Sequence, residues 1–216
     1  MYQKPNWISE GRSVKITVKY LENSPMNASL IEQLRTRRSL KPDRLMEPGP
    51  DASQLELILS IASRVPDHKK LVPWRFIVFE GAARARMGEV FAQAAKVENS
   101  EPPSPDRLET ERGRFLRAPL VVGVISKVTQ SPVIPEWEQV LSAGAACFNM
   151  CHAANALGFG TCWITEWVAY SPRVRTELKL EPNERIAGFI YVGTAVAKPD
   201  ERERPALADI VTRWPA

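Results

Sequence analysis

Three stretches of the 216-residue chain bring together side chains able to hold or polarise a ligand. The first is Arg37-Arg38-Ser39-Leu40-Lys41. Arginine binds phosphate oxygens bidentately, serine adds a hydroxyl, and Lys41, set apart by Leu40, is a separate point charge. An anion with a phosphate and a second electron-rich region would use that spread. The same run also reads as a solvated helix C-terminus, where cations complement the macrodipole. The second stretch runs from Arg64 through Pro66-Asp67-His68-Lys69 to Pro73, Trp74, Arg75 and Phe76. It is either a basic ligand loop fenced by two prolines or an ordinary surface loop entering a strand. The third, Gly158-Phe159-Gly160-Thr161-Cys162-Trp163-Ile164-Thr165, is a glycine-rich turn ending beside an aromatic, for ligand approach or simply for packing.

Much familiar chemistry is excluded. No phosphate-binding Walker loop, G-x-G-x-x-G, G-x-S-x-G or H-E-x-x-H occurs. Cys147, Cys151 and Cys162 make no C-x-x-C, and His68 and His152 give no zinc spacing. The cysteines read as small buried residues of a reducing compartment. An enzyme built this way would rely on a cofactor for its chemistry. The 29 Lys+Arg against 25 Asp+Glu leave a net charge of +4, interleaved with acids rather than gathered on one face, so nucleic acid is not the expected partner. Residues 140–160 contain Ser142, Asn149, His152 and Asn155, too polar for a lipid span, and no apolar run opens the chain. A soluble, cytoplasmic protein with no membrane partner is the expectation.

The elements needed to position these stretches follow from periodicity. Asn27 can cap a helix with Leu30, Ile31 and Leu34 on one face, and Asp51 a second with Leu55, Ile58, Leu59 and Ala62. Residues 74–80, 119–125 and 186–192 read as buried strands, with a short one through Cys162 and Trp163. Residues 82–95 form an amphipathic helix, a charged helix lies around 106–116, and Ser171-Pro172 opens another. Residues 136–157 form a long helix that is apolar or small on nearly every side, and so is expected to be buried all round, as a core axis or in a dimer interface. Ile16, Val18 and Tyr20 alternate as one short strand in residues 1–25, expected to be an extension before a single domain at 26–216, with Met26 a possible second start. The fold class is α+β or α/β, with a modest sheet between helical layers.

The order of these pieces resembles the nitroreductase family of flavoenzymes, above all its small NAD(P)H nitroreductases of the YdjA type. The resemblance rests on R-R-S after the first helix and on RVPDHKKLVPWRFIVFEG, RAPLVVGVISK, PEWEQVLSAGAACFNM, GFGTCWIT and GFIYVGT. It implies an α+β nitroreductase-like fold with a central mixed or antiparallel sheet flanked by helices. It further implies an intertwined homodimer with FMN at the subunit interface, NADH or NADPH as electron donor, and a small-molecule acceptor such as a nitroaromatic or quinone. The family pattern places Arg37, Arg38 and Ser39 by the flavin phosphate and ribityl chain, and Lys41 near the N1–C2=O edge. Arg64 and His68 correspond to the loop that reaches the partner's flavin. Trp163, Ile164 and Thr165 correspond to the loop over the N5 edge, and Arg204 in the tail to a phosphate-closing residue. No side chain is implied as a catalytic nucleophile. The chain departs from the pattern at Lys70 and Val72, where Asn and Gln are common, and at Ile164, where the YdjA type tends to carry Arg. Those departures leave open a non-enzymatic flavin-binding or redox-sensing module on the same fold.

Overall fold

The computed structural model describes residues 27–214, in two compact units, 1–35 and 36–216. The described part of the first is the start of helix α1 (Ala28–Thr36). Asn27 opens it as expected, its Oδ1 accepting from the Leu30 amide at 3.0 Å, which satisfies one of the four amides a helix start leaves over. The expected strand at 16–20 and the extension as a whole lie outside the described residues.

The second unit is built on five strands, β1 (Leu45–Met46), β2 (Trp74–Phe79), β3 (Leu120–Lys127), β4 (Gly160–Ile164) and β5 (Glu184–Ala195). β5 is the spine. β3 runs along one side of it, with β2 beyond. Its other side takes β4, with Gly160 opposite Gly193, and then β1, with Leu45 opposite Ala195. Every pairing among the described residues is antiparallel. β1 has no counterpart in the sequence reading, because two residues cannot display an alternation. β5 begins earlier than its apolar run, because Glu184 is buried and accepts a fork from Arg75 Nε and Nη2 at 2.7 and 2.8 Å.

Alternation along β3 and β5 makes two cores. Val121, Ile125, Phe189 and Tyr191 face one way, against Met87 and Phe91 of α3 (Ala82–Glu98), Val174 of α6 (Pro172–Glu177) and Phe115. Phe115 meets Phe91, Phe189 and Tyr191 edge-on, with centroids 4.7–5.8 Å apart. Val122, Val124, Ile190 and Val192 face the other way, against Ile58 of α2 (Ala52–Ala62) and Cys147 and Met150 of α5 (Glu136–Ala156). Each large apolar side chain buried this way contributes about 1.5–3 kcal/mol. Asp51 caps α2 in a reciprocal box with Gln54. α4 (Pro105–Arg112) lies against α3 so closely that a Cβ at Gly88 would overlap the Arg112 carbonyl. A last short helix, α7 (Leu207–Ile210), is exposed.

Within the single chain α5 is buried on one side only: Ala143, Ala146, Cys147, Met150 and Ala154 face the core, but Trp137, Leu141 and Phe148 are 68%, 54% and 48% exposed, so it is not the core axis of the domain. Alanine and glycine carry little facing signal, so the sequence concealed which side of α5 was which. Gly144 lies between Leu141 and Phe148, and a Cβ there would meet nothing within 4 Å.

Candidate active site

The Ser39-Leu40-Lys41 segment is docked on β4. The Leu40 amide donates to the Thr161 carbonyl at 3.0 Å, and the Leu40 side chain fills the space that Gly160 leaves open. A Cβ on Gly160 would lie 2.6 Å from Leu40 Cδ1 and 2.7 Å from Leu45 Cδ2, so this glycine is required by close approach. Pro42 then opens a turn, Pro42–Arg44. Between this segment and β4 lies a cavity of about 540 Å³ lined by Ser39, Leu40, Lys41, Asp43, Arg117, Cys162, Ile164 and Glu166, among others. Two of the predicted stretches, far apart in the chain, thus meet on one space.

Not every predicted residue reaches that cavity. Arg37 stands 5.7 Å from the centroid of the Phe148 ring on α5. Arg38 donates to the Asp200 carbonyl and lies 3.6 Å from Glu201, which Arg204 also approaches at 3.4 Å. Trp163 alternates away from Cys162 and Ile164: its indole lies over Gly188 and donates to the Ala187 carbonyl at 3.2 Å. Thr165 is within 3.5 Å of the Tyr170 hydroxyl. Arg64 is exposed, and His68 Nδ1 pairs with Glu138 at 2.9 Å beside a separate cavity of about 140 Å³. In that loop Asp67 accepts from the amides of Leu71 and Val72, and Lys69, Lys70 and Val72 all hold positive φ. A β-branched residue there is rare, and such strain gathers where a loop's shape is used.

Three charged cavity residues, Asp43, Arg117 and Glu166, went unpredicted, and the last two are paired. Arg117, in the turn Arg114–Arg117 before β3, donates from Nη1 and Nη2 to Glu166 at 3.2 and 2.7 Å. Glu166 also pairs with Arg114 at 2.7 Å. Its backbone sits at φ 52, ψ 178, a region kept for glycine that costs a side-chain residue about 1–3 kcal/mol. Arg117 opens a segment the sequence had singled out, RAPLVVGVISK, and Glu166 directly follows another, GFGTCWIT, and those positions were the available signal.

The site's electrostatics follow from burial and pairing. Burial, with lesser effects of neighbouring charges, pushes the Cys162 thiol up to about 11, so it is a neutral wall and not a nucleophile at neutral pH. Burial pushes the Glu166 carboxyl up, but hydrogen bonds from Arg117 and Arg114 outweigh it and leave the group below the ordinary 4.5. The Arg75 fork likewise holds Glu184 below 4.5. A carboxylate lowered on folding stabilises the fold above its unfolded value and loses that contribution as pH falls through its folded value. The contribution of these two carboxylates should therefore be level from neutrality down to about pH 5 and be lost below about 4.5, and Glu184→Gln should flatten part of the fall in melting temperature over that acid range. Superimposable acid profiles for the two proteins would remove Glu184 from the account.

Among the described residues no group of His, Cys, Asp and Glu could hold a metal, and no helix is long and apolar enough to cross a membrane. Comparison with known proteins agrees with the geometry. The chain is 39% identical over 168 residues to the Escherichia coli K12 protein named "Putative NAD(P)H nitroreductase YdjA", covering 78% of this chain and 89% of that one. A nitroreductase-like family protein from Bacillus cereus superposes with a TM-score of 0.74 at 19% identity, over 89% of this chain and 99% of its own. A nitroreductase with bound FMN from Bacteroides fragilis superposes with a TM-score of 0.63 at 21% identity, over 86% and 98%. The nitroreductase family model matches residues 34–194, which take in the Arg37–Lys41 segment, β4, Arg117 and Glu166, and the chain belongs to that family.

Proposed function

We propose that the protein is an FMN-dependent oxidoreductase acting as a homodimer, with NADH or NADPH as donor and a nitroaromatic or quinone as acceptor. Bound FMN would supply the hydride chemistry, taking hydride from the nicotinamide and passing it on. The observation that carries the reading is the convergence of Ser39, Lys41, Cys162 and Ile164 on one cavity. Its donor set fits the cofactor. Lys41 lines the cavity, makes no ion pair among the described residues, and would stabilise negative charge on a reduced ring bound there. Ser39 offers a hydroxyl and Ile164 and Cys162 an apolar wall, while Arg37 and Arg38, which precede Ser39 and lie outside the cavity lining, would be cations for a phosphate reaching beyond it. The dimer is supported by the exposed stripe of Trp137, Leu141 and Phe148 on α5, an apolar face that a second copy would cover. Arg37 packs on that same Phe148, which links the stripe to the cofactor segment.

Purified protein should be yellow, release FMN on acid treatment, and lose its visible flavin absorbance when NADH or NADPH is added without oxygen. Flavin retained but bleached by neither nucleotide would instead favour the sensing module. Arg37→Ala should weaken FMN binding about 10- to 100-fold, the loss of one charge-assisted contact. Full flavin retention by that variant after dilute dialysis would displace Arg37 from the phosphate.

A further inference from the structure

Arg117 lines the cavity with four of its five N–H groups already hydrogen-bonded. Nη1 and Nη2 donate to Glu166, Nη2 also donates to the Tyr191 hydroxyl at 2.9 Å, and Nε donates to the Arg114 carbonyl at 2.7 Å. Behind this pair Arg114 bridges Glu166 and the fully buried Glu111, which Arg107 meets from the solvent side at 2.8 Å. Two arginines and two glutamates therefore cancel, from the buried Arg114–Glu111 pair to the partly exposed Arg117–Glu166 pair, and the surplus cation, Arg107, is half exposed at the far end of the chain of charges. At the cavity end the other charged lining residues are Lys41 and Asp43, neither of which makes an ion pair among the described residues.

The backbone gives a second, independent indication. At φ 52, Glu166 occupies a conformation suited to glycine, and glycine would relieve it. Its ion pairs with Arg114 and Arg117 offset that strain. Resting on the flavin reading of this cavity, we propose that Glu166 is an internal counter-anion for Arg117. It keeps that arginine from acting as a second cation at the bound flavin, and so holds the flavin's reduction potential down. Reduction adds negative charge, and in a partly dehydrated cavity a nearby cation favours the reduced form while a carboxylate opposes it. A lower potential makes the reduced flavin a stronger donor, which suits acceptors that are hard to reduce, such as nitro groups.

The test is spectroelectrochemical titration of FMN-loaded wild type, Glu166→Gln, Arg117→Gln and the double variant. Glu166→Gln keeps the side chain's size and removes its charge. Its preference for reduced over oxidised FMN should exceed that of wild type about tenfold, which is about 30 mV upward for a two-electron couple. Arg117→Gln should move the potential downward, and the double variant should return close to wild type. An unchanged or lowered potential in flavin-replete Glu166→Gln overturns the proposal. If that variant does not fold, Arg117→Gln decides alone: a lowered potential supports the assignment and an unchanged one overturns it. A wild-type protein that holds no FMN under any treatment would overturn the flavin reading itself, and this assignment with it; a normal flavin complement with unmoved potentials overturns only this assignment.

Discussion

Glu111→Ala is expected to destabilise the protein by about 3–5 kcal/mol, the largest effect of any single truncation considered. Glu111 is fully buried, and its oxygens take Arg114 Nε at 2.7 Å, Arg107 at 2.8 Å and the Trp167 indole N–H at 3.2 Å. Truncation leaves Arg114, whose side chain is 8% exposed, with Glu166 as its remaining carboxylate, and strands the indole N–H. Removing one partner of a buried pair costs far more than the pair contributes, because the surviving charge cannot recover its hydration. For a chain of this length the loss corresponds to roughly 10 °C in melting temperature. Replacing Glu111 and Arg114 together by leucine should recover much of it, since no isolated charge then remains. A loss below about 1 kcal/mol in Glu111→Ala would mean that water reaches Arg114 and that the network is not sealed.

Aspartate at Leu141 and Phe148 together should convert the proposed dimer to monomer. Both side chains project from the exposed side of α5, one on each side of the bare patch at Gly144. Apolar anchors at an interface centre typically contribute about 2 kcal/mol or more each, so the paired change should weaken association by at least about 100-fold. Sedimentation should resolve wild type and variant at micromolar concentration. Flavin retention should fall with dimer content, because Arg37 rests on Phe148. A wild-type protein that sediments as a monomer and still holds its flavin would end the argument for a shared site.

The elements were legible in the sequence wherever periodicity and caps coincided. Asp51 and Ser171 accept from the amides expected of capping residues, and the apolar runs of β2, β3 and β5 lie where they read. The site was legible in part. Ser39, Lys41 and Ile164 meet at one cavity, whereas Trp163, next to Ile164, points away because a strand alternates its faces. Arg117 and Glu166 were illegible for a different reason. A charged residue at the edge of a motif looks like surface until a fold supplies its counter-charge, and here that partner is 49 positions away. A glutamate at positive φ cannot be read from local sequence, since the ion pairs that hold it there are tertiary.

The placement of β5 bears on how the site can open. Its residues 189–192 carry β3 on one side and β4 on the other, so the ladder under Cys162 and Ile164 is also the ladder of the hydrophobic core. Freeing β4 would break into the same cooperative unit that global unfolding breaks, and its amides should exchange with solvent only on that timescale. Breathing of the cavity then falls to the opposite wall, the 39–43 segment, whose described backbone link to β4 is the single Leu40–Thr161 hydrogen bond. Ligand entry and exit would accordingly be governed by the loop that carries Lys41, with the strand as a fixed anvil.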